Sequence, residues 1–298
     1  MQWNDYEYYI EIFPPKEFSF AECLLFLDRS NLEVLHQIKE DAVYKVIQGV
    51  VCTVTYVNPC IQVKFVSENP PAIVRQNVAQ YIWEWFDLES DLHDFYQLAS
   101  QDDVLKPLVD SYYGLRIIGI PDLFEALVWA IVGQQINLTF AYTLKKRFIE
   151  QFGECVIFEG EAFWMFPTVE KIAGLSVEDL KCLQFTTRKA EYIIFIAQEM
   201  MCGSLSKEQL LETQDIQKSL VSIRGIGTWT ANYVMLRCLH QSTAFPITDV
   251  GLHNALKVLL NLEEKPTIHE IETYAVNWQG WQAYATFYLW RSLYGKNI

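Results

Sequence analysis

The sequence predicts an α+β protein in two parts: an antiparallel-sheet unit over residues 1–105 and an all-α unit over residues 106–298. Three observations carry this. Residues 43–66, VYKVIQGVVCTVTYVNPCIQVKFV, are dense in Val, Ile, Thr and Tyr and broken by an Asn-Pro turn, the composition and punctuation of strands. After about residue 105 no such run recurs, and apolar residues return at helical spacing in one segment after another. Many of those segments follow an Asp, Ser or Thr and some close on Gly, as helix caps do.

In chain order, YEYYIEIF (6–13) reads as a first strand and SFAECLLFLDRS (19–30) as a helix with Ser19 as its N-cap. After the strands of 43–66, NPPAIVRQNVAQYIWEWFDL (69–88) reads as a helix with prolines at its start. The boundary falls near SQDDVLKP (100–107). Helices are then expected at 122–136, 139–153, 177–183, 187–201, 207–212, 216–223, 227–239, 250–260 and 281–295.

At 298 residues and 51% hydrophobic, the chain can bury a sizeable core. No apolar run reaches the roughly 18 residues of a membrane span, and MQWNDYEYYIEIF lacks the regions of a secretion signal. Seven cysteines, none in C-x-x-C spacing, argue against a structural zinc or a cysteine-held cluster. They imply a reducing, cytoplasmic setting, nucleoid-associated if the source is bacterial. Nine Trp and sixteen Tyr fit either large aromatic cores or an aromatic-lined pocket.

A net charge of −14 speaks against general nucleic-acid affinity, but the charge is uneven. Residues 1–105 hold 17 acidic and 6 basic side chains, whereas 221–260 hold Arg224, Arg237 and Lys257 against Asp249 alone. Lys145–Arg147 with Lys181, Arg188 and Lys189 add basic islands. Such runs are usually solvated faces, yet they are compatible with phosphate contact at a defined place.

RGIGTWTAN (224–232) joins two helical segments through two glycines. One reading is a tight helix–helix turn. The other is a close approach, in which Gly225 and Gly227 let a phosphate reach N–H groups at the mouth of the second helix; Thr228 and Thr230 would add hydroxyls. Twenty residues past Trp229, Asp249 stands in FPITDVGLHNAL at an N-cap position. Capping alone would explain it, and capping is compatible with an ionised carboxylate facing a developing cation. Trp229 and Tyr233 share a helix face; by themselves they read as core before pocket, and Trp290 in WQAYATFYLW has the same two readings. His253 has no evident partner and receives no role.

IRGIGTWTANY followed by FPITDVGL resembles the helix-hairpin-helix and Gly/Pro-Asp motif of a DNA glycosylase superfamily, in particular its AlkA-type DNA-3-methyladenine glycosylase II branch. DLFEALVWAIVGQQINLTFAYTLKKRFIEQFG is similar to that family's first long helices, and WQAYATFYLW to its closing helix. The resemblance implies a TATA-binding-protein-like amino-terminal domain followed by a helix-hairpin-helix glycosylase domain. It makes Asp249 the catalytic carboxylate and puts Trp229, Tyr233 and Trp290 around the base. Gly225, Gly227 and Thr230 would grip DNA phosphate, with Arg224, which stands where the family has Pro, reaching DNA as well. Gln135 would fill the gap left by an extruded nucleotide. The backbone carbonyls of Val221, Ile223 and Ile226 would hold a monovalent cation bridging to phosphate, and no other cofactor is implied.

Bifunctional members carry a Schiff-base Lys on the second hairpin helix, nineteen residues before the Asp; here that count falls on Thr230, which has no amine. The resemblance therefore implies a monofunctional enzyme, acting as a monomer on double-stranded DNA that contains alkylated bases of the 3-methyladenine and 7-methylguanine type. Two other readings stay open: an oxidised-purine (8-oxoguanine type) glycosylase/lyase, and a non-catalytic protein that binds damaged DNA.

Overall fold

The structure is a computed structural model and describes residues 1–294. β1 (Trp3–Asp5) and β2 (Tyr9–Ile12) form a first hairpin, so the strand expected at 6–13 is shorter and has a partner just before it. α1 (Phe20–Leu27) follows, its Ser19 cap accepting from the Glu22 N–H at 3.3 Å. β3 (Gln37–Lys39), β4 (Ala42–Ile47), β5 (Val50–Val57) and β6 (Cys60–Phe65) complete one antiparallel sheet in the order β1-β2-β6-β5-β4-β3. Gln48 and Gly49 both take positive φ between β4 and β5, the conformation that suits a two-residue hairpin. Across the sheet, Val43, Val54, Val63 and Ile10 pair in one fully buried row. α2 (Ala72–Trp85) lies against β1 and β2.

α3 (His93–Ala99) and α4 (Lys106–Ser111) lead into the second part. α5 (Leu123–Gly133) is apolar on nearly every side and runs through the core, and α6 (Leu138–Phe152) packs beside it. A two-stranded sheet then interrupts the helices: β7 (Cys155–Phe158) and β8 (Glu161–Trp164). The all-α expectation fails here. Each strand is four residues long, too short for its alternation to stand out. The hairpin covers the outer face of the large sheet, burying Phe163 with Val46 and Val51, while Gln37 Nε2 donates to the Ala162 carbonyl at 3.3 Å.

α7 (Val169–Ala173), α8 (Val177–Lys181), α9 (Thr187–Met201), α10 (Lys207–Glu212), α11 (Ile216–Val221), α12 (Thr228–Arg237), α13 (Val250–Leu259), α14 (Ile268–Tyr274), a 3-10 turn at Ala275–Trp278 and α15 (Gln282–Arg291) complete the described chain. Asp122, Asn137, Thr168, Thr186, Ser206, Asp215 and Thr267 each cap a helix by accepting a first-turn N–H. None of these helices is long and apolar enough to cross a membrane.

One continuous core runs through both parts. Arg116, completely buried, fastens the connection: its Nε donates to Glu17 O at 2.9 Å and its Nη1 to Asp87 O at 2.8 Å and Ser90 O at 2.6 Å. Arg116→Met keeps the stem but strands three carbonyls. Urea denaturation is expected to show a loss of about 3 kcal/mol; a loss below about 1 kcal/mol would show the carbonyls to be satisfied some other way.

Candidate active site

The loop between α11 and α12 uses its two glycines differently. Gly225 has φ +95°, and a Cβ there would lie 2.3 Å from the Tyr192 ring, so turn and packing both require glycine. Gly227 is the extended N-cap of α12, and a Cβ there would meet nothing within 4 Å. No side chain caps α12, leaving the first N–H groups beside Gly227 open to an anion. The tight-turn reading thus holds at Gly225, while Gly227 is left with open space in front of it.

α12 presents Trp229 and Tyr233 on one face, with ring centroids 5.5 Å apart, and Trp290 of α15 stands 5.9 Å beyond Tyr233. Asp249, half-buried at the N-terminus of α13, closes the group. Its Oδ1 accepts from the Leu252 N–H at 2.9 Å and from Trp290 Nε1 at 2.8 Å, and its Oδ2 accepts from Trp229 Nε1 at 3.0 Å. The carboxylate is held by a helix terminus and two indoles, which together fix its position.

Supporting groups escaped the sequence reading. Tyr233 Oη accepts from Trp129 Nε1 at 2.8 Å and from the buried Arg237 Nη1 at 2.7 Å. Asn232 ties the hairpin to the loop ahead of Asp249, accepting from the Phe245 N–H at 2.8 Å and donating to Thr228 O at 3.0 Å. His253, given no role from sequence, contacts the Ile247 carbonyl at 2.9 Å and steadies the same loop. Gly251 leaves room for the clamp: a Cβ there would lie 2.9 Å from Asp249 Oδ1 and 3.2 Å from the Trp290 indole.

Residues 128–280 match the family described as HhH-GPD superfamily base excision DNA repair protein, and residues 12–127 match the 8-oxoguanine DNA glycosylase N-terminal domain. The DNA-3-methyladenine glycosylase of Bacillus subtilis (strain 168) is 46% identical, the alignment covering 99% of this chain and all of that one. The chain belongs to the HhH-GPD superfamily of base excision DNA repair proteins. It is a glycosylase. Its fold is shared with a 3-methyladenine DNA-glycosylase from Archaeoglobus fulgidus (TM-score 0.77, 24% identity, 94% of this chain and 96% of that one). It is shared also with an 8-oxoguanine glycosylase/lyase from Clostridium acetobutylicum (TM-score 0.75, 19% identity, 98% of each chain).

In this glycosylase one expected DNA contact, that of the Thr230 side chain, needs revision. Thr230 is 2% exposed, and its hydroxyl accepts from Gln134 Nε2 at 3.0 Å, so its side chain faces the protein rather than a phosphate. Neighbouring residues on a helix point about 100° apart, and the one that reaches Asp249 is Trp229. A Schiff-base lysine beside Asp249 would therefore have to replace Trp229, not Thr230. Arg224 is exposed, and its Nη2 pairs with Glu191 Oε2 at 2.7 Å. Gln135 is exposed between α5 and α6 with φ +57°.

The basic islands also divide. Lys145 is buried and bonded to Glu33 Oε2 at 3.0 Å and Glu125 Oε1 at 3.4 Å. Burial lowers its affinity for a proton, but the two carboxylates outweigh that and raise it. Lys189, also buried, donates to Val132 O at 2.8 Å, and burial lowers its pKa. These two cations hold the fold and do not face outward.

Gly251→Ala raises intrinsic helix propensity by about 1 kcal/mol while pushing a methyl between Asp249 and Trp290. Base release is expected to fall about 10-fold or more, since one displaced electrostatic contact costs that much, with the melting temperature unchanged or higher. Full activity in Gly251→Ala would show that the Trp290 bond does not position the carboxylate.

Proposed function

We propose that this glycosylase is monofunctional, hydrolysing the N-glycosidic bond of alkylated bases of the 3-methyladenine and 7-methylguanine type and leaving an abasic site in an intact strand. The observation that carries the reading is Asp249 clamped between two tryptophans, with no amine among its hydrogen-bond or ion-pair partners in the described residues. The name of the Bacillus subtilis relative supports the substrate class.

The partner is double-stranded DNA, bound by one copy of the chain. The open N–H groups at Gly227 take a backbone phosphate, and Arg224, by exchanging Glu191 for a phosphate, adds a second contact. The carbonyls of Val221, Ile223 and Ile226 suit a monovalent cation bridging to that phosphate: no N–H of the turn donates to Val221 or Ile226, and Ile223 accepts only one, from Ile226 at 3.0 Å. The target nucleotide leaves the stack at a cost of a few kcal/mol, and Gln135 fills the gap.

An alkylated purine carries positive charge, which the faces of Trp229, Tyr233 and Trp290 attract by about 1–2 kcal/mol once desolvated. The C1′–N bond breaks with its electron pair passing to the base, which leaves neutral. Positive charge then develops at the sugar, where the fixed carboxylate of Asp249 stabilises it without reorganising. Water adds at C1′ and gives its proton to solvent.

The test is mass analysis of bases released from DNA treated with a methylating agent, together with a strand-cleavage assay without alkali. We expect methylated purines and uncut strands from the wild type, and at least a 100-fold slower release from Asp249→Asn with DNA binding retained. Strand cleavage with release of oxidised purines would favour the glycosylase/lyase reading, and no time-dependent release at all would favour a binding protein.

A further inference from the structure

Three parts of the proposed DNA-handling surface meet at one side chain. The loop expected to fill the gap leaves α5 at Gly133, and its exposed Gln135 sits at φ +57°, a conformation that a non-glycine residue keeps only where its surroundings impose it. Gln134, the residue before it, turns inward. Its Nε2 donates to Gly225 O at 3.0 Å and to Thr230 Oγ1 at 3.0 Å. The amide's orientation follows from chemistry, because the Gly225 carbonyl can only accept and so must face the NH2 group.

Each partner belongs to a different working part. Gly225 is the turn glycine of the hairpin, and Thr230 is the neighbour of Trp229, which touches Asp249. The Trp229 ring itself lies 3.7 Å from where a Cβ on Gly133 would stand. From behind, Lys189 of α9 holds Val132 O at 2.8 Å and fixes the end of α5 from which the loop departs. Among the described residues, Gln134 is the only side chain whose hydrogen bonds join this loop to the hairpin.

We propose that Gln134 is a positioning residue that sets the register between the hairpin's hold on the DNA backbone and the entry of Gln135 into the base stack; this rests on the glycosylase reading above. Phosphate bound at Gly227 fixes the DNA relative to Gly225, and the Gln134 amide fixes Gln135 relative to the same point. With the amide removed, Gln135 relaxes out of its left-handed conformation and no longer meets the gap. Asp249 keeps all three of its hydrogen bonds, none of which involves Gln134.

The test uses the whole chain with Gln134→Met, which keeps the length and removes both donors, Gln135→Ala, and the double variant. A duplex carrying 2-aminopurine beside an abasic-site analogue reports unstacking without needing base release. The wild type is expected to brighten this probe at saturating protein, and both single variants to lose most of the rise. Release of a methylated base from duplex should slow about 10-fold in Gln134→Met, as for loss of two ordinary hydrogen bonds, but about 2-fold or less from the same strand unpaired. The double variant should be no slower than the slower single variant, because the two residues act as one unit.

Equal losses on paired and unpaired strands, or additive losses in the double variant, would overturn the coupling. A wild type that unstacks the probe but releases no base would sink the glycosylase reading and leave the coupling testable by fluorescence. A wild type that releases base while Gln134→Met unstacks the probe just as fully would sink the coupling alone.

Discussion

The Asp249 carboxylate is the point on which the helical half of the molecule converges. α12 sends it the Trp229 indole, α15 sends the Trp290 indole, and α13 begins on it. Three helices, two consecutive and the third near the end of the described chain, must hold their spacing for these bonds to form together. Much of the rest follows from that demand: glycine at 251, where any side chain would intrude, and Asn232 and His253 bracing the loop that delivers the aspartate. On the proposed mechanism, a carboxylate pinned in this way would need little reorganisation when charge develops beside it, which is how preorganised electrostatics accelerates a reaction.

On the proposed function the aromatic cluster and the carboxylate act together: the tryptophans that would stack on a cationic base are the same ones that donate to Asp249, so base and sugar would be positioned against each other. Behind Tyr233 the support becomes ionic and crosses into the sheet unit. Arg237 and Trp129 hold the Tyr233 hydroxyl, Arg29 at the end of α1 donates to Tyr142 at 2.6 Å, and Lys145 joins Glu33 to Glu125. Buried charges persist only when each is bonded, so the sheet unit braces the residues that stand behind Tyr233.

The long periodic elements were legible in the sequence, as were the residues carried by local motifs. Asp249, Trp229, Tyr233 and the glycine turn lie within 25 residues of one another; capping and helical spacing place them on their elements, and only the family resemblance gathers them into one site. What escaped was short or long-range. β7–β8 is a pair of four-residue strands whose partner is a sheet a hundred residues earlier. The contacts Trp290–Asp249, Gln134–Gly225 and Trp129–Tyr233 join segments 41, 91 and 104 residues apart, and no periodicity records them. Thr230 was misplaced because counting residues back from Asp249 takes no account of helix rotation, which separates it from Trp229 by about 100°. Lys145 and Lys189 read as surface charge because burial of a lysine stem and its partner leaves no mark in composition.

The proposed mechanism requires that Asp249 face the sugar carbon while the aromatic rings face the base. A crystal structure of the protein bound to duplex DNA that carries a cationic pyrrolidine in place of the target deoxyribose tests this directly. The pyrrolidine nitrogen is expected in salt-bridge contact with an Asp249 oxygen, with the tryptophan bonds to that carboxylate intact and the hairpin amides at Gly227 on a phosphate of the same strand. A pyrrolidine bound away from Asp249, or a duplex seated on another face of the molecule, would contradict it.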